Sequence, residues 1–445
     1  MLIRLLHRVY RGLNGLGLWG RRRFTPAGAF VLVGLMLSGG ASNPDQTMGL
    51  QVFVLLGALM TLAMVRAPFF RMALSLERHV PRFITAGDPF LLRVRITNRS
   101  TRLQRGLEYL EDVRDPPLTL SELAARLRPG RENRSFRVGG PLPPIRLTRV
   151  RPAPLPNLAP GESGEAQLEL LAWRRGPLVL AGGIVASTDP FGLFRAFARV
   201  TAPQTVLVLP RRYPLPPLSL PGQSHYQRGG VAMAAGVGET EEFVALREYR
   251  RGDSLRRVHW RSAARLGELV VKEFQDEYLM RHALVLDTFC EPARDLLFEE
   301  AVAVAASFAC TVPDQESLLD LLFVAGQTVS LTSGRGVGHS QQMLEVLAAV
   351  KPERTRRFAE LEGLVLGQSV VLSGCLLVLL DWDEPRRALV RRLKALGIPT
   401  LAMVVVAPGR AAGFDRGPAD DQPEHLVVLE AGEVGESLRR LEGLS

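Results

Sequence analysis

The chain has 445 residues, 47% of them hydrophobic and 22% charged, with a formal net charge of +10. Such a balance excludes an intrinsically disordered chain and leaves length for two or three folded domains. Every basic residue except Lys272, Lys351 and Lys394 is Arg, spread along the whole chain, so the bias marks no nucleic-acid surface by itself. Cys290, Cys310 and Cys375 lie in apolar surroundings without CxxC spacing. They read as small buried thiols in a reducing compartment, not as zinc ligands or a disulfide framework.

Residues 1–71 read as a membrane anchor. Two apolar runs, 27–42 and 48–65, lack Asp, Glu, Lys and Arg, and each approaches the roughly 17–20 residues that cross a bilayer as a helix. A polar turn containing Pro44 joins them. A cleaved signal peptide would have one such run, not two. Arg4, Arg8, Arg11, Arg21, Arg22 and Arg23 precede the first run, and Arg66, Arg71, Arg78 and Arg82 follow the second, with none between. The positive-inside rule then predicts a two-pass protein of the bacterial inner membrane with both termini cytoplasmic. Gly39, Gly40 and Gly57 are placed to ease close helix packing.

From 72 to 210 short β-rich segments alternate with Pro, Gly and Asn turns. Leu92, Val94 and Ile96 alternate through 90–98, and further strands are expected at 166–173, 176–184 and 202–208, the spacing of an antiparallel β-sandwich. Residues 101–165 are too irregular and proline-rich to assign. In 187–194, Asp189-Pro190 starts a turn, Gly192 relaxes it, and Phe191 and Phe194 staple it to a core. The Pro- and Gly-rich stretch 211–240 reads as a linker.

Residues 242–274 form a long basic motif, EFVALREYRRGDSLRRVHWRSAARLGELVVKEF. The pattern predicts an extended segment over 242–249 and a turn at 252–254 with Asp253 or Ser254 as N-cap. A helix over 255–266 with Leu255, Val258 and Ala263 facing inward follows, then a Gly267 C-cap and a strand over 269–274. Its arginines suit either an internal ion-pair network or a docking face for an acidic partner or phosphate. Nucleic-acid binding is not expected, because acids alternate with the arginines and stacking aromatics are few. His259 lacks any identifiable nucleophile or metal partner, and the chain has no Walker loop, HExxH or nucleophile elbow, so no catalytic residue and no enzyme activity is expected.

The run Arg247-Glu248-Tyr249, Gly252-Asp253, Arg256-Arg257 with Trp260, Ala264-Arg265 with Gly267-Glu268-Leu269, and Val271-Lys272-Glu273-Phe274 resembles the signature of the domain-of-unknown-function-58 family. The upstream Asp189–Phe194 turn fits the same family. The resemblance implies a layout of membrane hairpin, β-sandwich, signature motif and von Willebrand factor A-like domain, and a cytoplasmic partner of the MoxR-type AAA+ ATPase class. It puts Arg247, Tyr249, Asp253, Arg256, Arg257, Trp260, Arg265 and Lys272 forward as the partner-binding residues.

Within 241–445 the pattern after the motif is that of a doubly wound α/β domain with a parallel sheet. Strands are expected at 283–287, 318–324, 328–331, 375–380, 400–406 and 425–429, and helices at 293–310, 341–350, 384–396 and from 437. Asp287 and Asp381 fall at strand ends, where ligands of such sheets bind. A-like domains normally carry Asp-x-Ser-x-Ser at the first of these, but here the run is Asp287-Thr288-Phe289-Cys290-Glu291. Two readings stay open. Asp287, Glu291, Thr332 or Ser333, and Asp381 make an altered magnesium site, the one cofactor considered; or Asp287 and Asp381 cap backbone amides or pair with arginines of the motif. The expectation as a whole is a membrane-tethered interaction protein, with a divalent-metal-dependent ligand-binding module as the alternative.

Overall fold

The computed structural model of the protein describes residues 20, 23–40, 47–65, 67, 70, 72–114, 148–216, 243–255, 258–274, 280–291, 294–311, 317–333, 337–419 and 425–443. The chain folds as two compact units, Met1–Arg211 and Arg212–Ser445.

The first unit begins with two apolar helices, α1 (Pro26–Gly40) and α2 (Thr47–Val65). Neither has an amphipathic stripe, and their large side chains face outward, Phe30, Leu37 and Leu55 among them. Over Met48–Val65, α2 is long and apolar enough to cross a membrane, whereas α1 is shorter. Among the described residues of α2 only Met60 and Ala63 are buried, which is not how a soluble core helix is packed. The helices touch through small residues: a Cβ on Gly34 would stand 3.3 Å from Leu56, and one on Gly39 would stand 3.0 Å from the Phe53 ring. Gly40, expected at this contact, has open space beside it.

Two sheets follow. β1 (Leu74–His79), β3 (Pro89–Asn98), β7 (Ser163–Ala172) and β5 (Thr148–Val150) form one in that order. β2 (Phe83–Thr85), β9 (Arg195–Leu209), β8 (Gly176–Thr188), β4 (Leu107–Arg114) and β6 (Ala153–Leu155) form the other. Alternation decides which face is buried. Leu92, Val94, Ile96, Ala166 and Leu168 of the first sheet meet Leu107, Tyr109, Leu155 and Val185 of the second in one core. The expected strands are present, with β8 and β9 longer than their apolar runs because central strands keep pairing past them. An ion pair between Arg78 and Glu111 is sealed inside, with the Tyr109 hydroxyl donating to Glu111 at 2.6 Å.

The turn at 189–194 does more than close β8 onto β9. Asp189 accepts from the amides of Phe191, Leu193 and Phe194 (2.8, 2.7 and 2.6 Å), and Gly192 takes a positive φ of 72°. So held, Leu193 and Phe194 insert between the ends of the two helices, packing with Phe24, Val31, Leu59 and Met64. Thr25 bonds Leu193 O through its amide at 3.1 Å and caps α1 by accepting from Gly28 N at 3.0 Å. Phe191, expected to staple inward with Phe194, is instead 49% exposed.

In the second unit the stretch expected to be linker is anchored at its start: Tyr213 N donates to Ser307 at 2.7 Å and its hydroxyl to Glu300. The rest of that stretch, from 217, lies outside the described residues. A six-stranded sheet has the order β14 (Gln327–Ser333), β13 (Ser317–Ala325), β12 (Met280–Leu286), β15 (Gly374–Leu379), β16 (Thr400–Val406), β17 (Leu426–Glu430). Five strands are parallel; β14 runs antiparallel to β13, so the sheet is mixed where an all-parallel one was expected. The single residue Gly326 between them forces this, since a parallel return needs a crossover of a dozen residues or more.

One face of the sheet packs on Phe358, Leu361 and Val365 of α6 (Phe358–Gly367) and Leu389 and Leu393 of α7 (Glu384–Ala395). α4 (Asp295–Thr311), buried from Ala301 to Ala309, and α5 (Val337–Ala349) also pack against the sheet, and α8 (Val434–Arg439) closes on β17. Helix α6 was not expected. Cys290 and Cys375 are buried, and burial pushes both thiols up to about 12.

The contact at Gly28 gives a test with an unusual sign. Alanine in a helix is ordinarily favoured over glycine by about 1 kcal/mol. A Cβ on Gly28 would fall 1.9 Å from Leu193 O, so Gly28→Ala is expected to lower the thermal midpoint of the full-length protein and to speed amide exchange across 189–194.

Candidate functional site

The C-terminal ends of β12 and β15 bring together the two aspartates picked out in the sequence. Asp287 is fully buried. Its Oδ1 accepts from Phe289 N at 3.0 Å, and its Oδ2 accepts from Leu380 N at 3.1 Å and Arg386 Nε at 2.6 Å. Arg386 comes from the first turn of α7, which Asp383 caps by accepting from the Arg386 amide. Its guanidinium also reaches Asp383 (2.7 Å) and lies 4.7 Å over the Phe358 ring. Burial works against the Arg386 charge, but Asp287 and Asp383 more than offset it and raise its pKa. Asp381 pairs with Arg294 and accepts from Trp382 N at 2.9 Å; Arg294 outweighs partial burial and keeps the carboxyl below its usual range.

Both aspartates therefore meet arginines, though these come from α7 and from the start of α4 and not from the basic motif. Thr332 lies elsewhere: it donates to Asp320, which Arg281 holds at 2.5 Å. Asp320 pairs in register with Ala283, far along β12 from its Asp287 end. Glu291 is exposed. Among the described residues no three His, Cys, Asp or Glu side chains lie together as a metal group. As a donor set Asp287 fits a cation poorly, because amides and a guanidinium already take its oxygens.

Next to this pair Glu353 ties three loops. Its Oε1 accepts from Thr355 Oγ1 (2.6 Å), Thr355 N (2.8 Å) and Arg354 N (2.9 Å), and its Oε2 from Gly326 N (2.6 Å). Its own amide donates to Thr288 O at 2.8 Å. The Thr355 hydroxyl and then these amides hold the carboxyl at about 2. Arg386, Arg294 and Glu353 were not singled out from the sequence. Only the Asp383-Glu384-Pro385 cap ahead of Arg386 offered a signal.

The basic motif is a separate small module. β10 (Phe243–Glu248) and β11 (Val270–Phe274) form a two-stranded antiparallel sheet, with α3 (Trp260–Leu266) in the connection. The helix starts five residues later than expected, at Trp260, with His259 in the N-cap position. Asp253 is not its cap: it takes Arg247 in a two-pronged pair (2.7 Å each) and accepts from Arg250 N at 2.8 Å, which holds its carboxyl at about 2. Val258 bridges to Val271 in extended form, which bars helix there. His259 Nδ1 bonds Ser262 Oγ at 2.7 Å, and Gly267 ends the helix with a φ of 74° as expected.

Val258, Val270 and Val271 are buried, but Leu255 (61%), Trp260 (62%) and Leu266 (67%) are exposed, as are Leu246 and Leu269. Arg250, Arg251, Arg261 and Arg265 are exposed on the same module, and Tyr249 and Lys272 are half-buried. Arg256 and Arg257 lie outside the described residues. Arg247 and Asp253 thus brace the module, while Trp260 and Arg265 are free to meet another molecule.

The hairpin and the mixed α/β sheet as far as β16 coincide with the stretch that a family model matches. The family model described as "Protein of unknown function DUF58" matches residues 245–402. The chain is similar to the "Uncharacterized protein YeaD" of Bacillus subtilis (strain 168), 27% identical over 168 residues, and the match spans 37% of this chain and 40% of that protein. Among solved structures it is similar to the ASH / PapD-like domain of human CEP192 (PapD-like domain 7), at 10% identity, TM-score 0.17, over 31% of this chain and 84% of that one. A second, titled "AvmM Catalyzes Macrocyclization in Alchivemycin A Biosynthesis", is 15% identical at TM-score 0.20, over 31% of this chain and 90% of that one. Likenesses this slight bear on neither fold nor function.

Removing one member of a buried pair strands the other charge, at about 3–5 kcal/mol. Asp287→Asn is expected to destabilise the protein by that amount in urea unfolding, and adding Arg386→Met to recover most of it. For Glu353 the folded carboxyl sits below its ordinary value, so its contribution is present above about 4.5 and lost as pH falls from there through about 2. Glu353→Gln is expected to lose about 1–3 kcal/mol near neutrality and to flatten the acid limb of a thermal-stability profile.

Proposed function

We propose that the protein is a membrane-tethered interaction protein whose hairpin module docks a cytoplasmic partner, a MoxR-type AAA+ ATPase acting in protein assembly or remodelling. The observation that carries the reading is the exposure of Leu255, Trp260 and Leu266 on a small module that also exposes Arg250, Arg251, Arg261 and Arg265. A module this small cannot bury its own large apolar residues, and Trp and Arg together are the residue types that dominate protein interfaces. The signature running through the same residues supports the partner class. A von Willebrand factor A-like reading of the second unit is supported by its parallel strands and by aspartates at the strand ends.

The tether is the pair α1 and α2, read as a two-pass anchor of the plasma membrane with both termini cytoplasmic. Two features support it: outward-facing apolar side chains, and the packing of Leu193 and Phe194 against residues near the start of α1 and the end of α2. Interaction stands ahead of a metal-dependent module because Asp287 and Asp381 are engaged by Arg386 and Arg294.

Full-length protein purified by affinity in mild detergent, with and without ATP, is expected to bring down an AAA+ ATPase identified by mass spectrometry. Trp260→Ala with Arg265→Glu is expected to reduce its recovery by about tenfold or more, while Arg99→Glu in the first unit leaves it unchanged. Equal recovery with the double variant moves the interface off the hairpin, and recovery of no ATPase removes the partner assignment.

A further inference from the structure

The charges beside the helix ends are arranged for a ligand that neither the anchor nor the hairpin accounts for. On β9, Arg195, Phe197 and Arg199 stand at alternate positions and so share one face. It is the face away from the core, since the intervening Ala196 and Ala198 are buried. Arg23, three residues before α1, lies across this face. Its guanidinium sits 4.5 Å over the Phe197 ring and 5.7 Å from Phe194, and Nη1 donates to Arg195 O at 3.2 Å.

Three guanidiniums therefore gather at the end of the helix pair where the 189–194 turn inserts. Glu108, from β4 on the far side of β8, pairs with Arg195 at 3.2 Å. Arg199 is flanked in register by Ile184 of β8 and, beyond it, Leu110 of β4, both apolar. Asp112, further along β4, stands level with Thr201. Among the described residues, then, no carboxylate pairs with Arg23 or Arg199. Burial first, and then the field of Arg199, lower the Arg23 pKa. Two guanidiniums side by side offer the forked donors that a phosphate accepts from.

From this juxtaposition we propose that Arg23 and Arg199 bind the phosphate of an anionic phospholipid headgroup, with the exposed Phe191 of the neighbouring turn lying at the same interfacial level. The assignment rests on reading α1 and α2 as membrane-spanning. If they span, their ends at Thr25 and Val65 meet the headgroup layer, and so does the turn wedged between them. Aromatic side chains beside guanidiniums suit that layer, apolar on one side and anionic on the other. Arg23, bonded to Arg195 O and stacked on Phe197, holds its position before any lipid arrives, and the exposed Arg199 completes the clamp.

The test uses the full-length protein in nanodiscs of phosphatidylcholine alone or with phosphatidylglycerol, read by native mass spectrometry of retained lipid and by thermal midpoint. The wild type is expected to retain phosphatidylglycerol and to gain stability from it. Arg199→Gln is expected to weaken retention by about fivefold, the effect of one basic side chain at an anionic surface. Arg199→Lys keeps part of it, and Arg99→Gln, an equal charge change on the opposite sheet, keeps all of it. Equal retention by Arg199→Gln and Arg99→Gln overturns the site. So does an equal stability gain from inorganic phosphate in phosphatidylcholine discs, which assigns the arginines to a soluble anion. Recovery of the protein in the aqueous phase instead of in discs is a separate outcome that removes the membrane reading beneath the proposal.

Discussion

Burying Arg386 against Asp287 takes two full charges out of water, a desolvation of several kcal/mol per ion that the pair must offset through its surroundings. It does so with donors and acceptors drawn from every element that meets there: the amides of Phe289 and Leu380, the Asp383 carboxylate, and the Phe358 ring. β12, β15, α6 and α7 are thereby fixed to one point. Glu353 repeats the arrangement one loop away, with Gly326 and Thr355 as its donors. The strand ends, ordinarily the open and reactive rim of an α/β sheet, are here a tied-off polar seam. Exposed apolar and arginine side chains are found on the hairpin, whose ion pair at Arg247 and Asp253 sets its turn but leaves its apolar residues outward.

Much of the fold could be read from the chain because periodicity reports burial directly. The alternation of Leu92, Val94 and Ile96 and the apolar run of β16 leave one arrangement each. The failures have local causes. β14 was assigned as a strand, but its direction depends on a one-residue connection that periodicity does not encode. The motif helix is five residues shorter than its sequence suggests because Asp253 resembles a cap, and nothing in the order of residues says that Arg247 claims both its oxygens first. Helix α6 has no clear signature in the sequence because Phe358–Gly367 has an apolar run and two glycines in place of a clear stripe.

The site was less legible than the fold. Strand-end aspartates could be located, but their partners lie 99 and 87 positions away in the chain, so the choice between cation site and ion pair was open until the chain was folded. The turn at 189–194 shows the same limit. Its internal chemistry was plain from Asp189, Pro190 and Gly192, yet its contact with Thr25 and Gly28 joins residues more than 160 positions apart.

Gly28 gives that contact a mechanical meaning. A helix packed by ordinary side chains can slide along its axis, trading one residue for the next. Here the Leu193 carbonyl occupies the space that a Cβ would take, and the residues on either side, Ala27 and Ala29, both carry one. Shifting α1 up or down by a residue, or rotating it by one position, would drive a methyl group into that oxygen. The pairing therefore works as a key in a keyway: while the 189–194 turn keeps its place, α1 cannot move by one residue in either direction, and a movement of the helix must carry Leu193 along or break the contact.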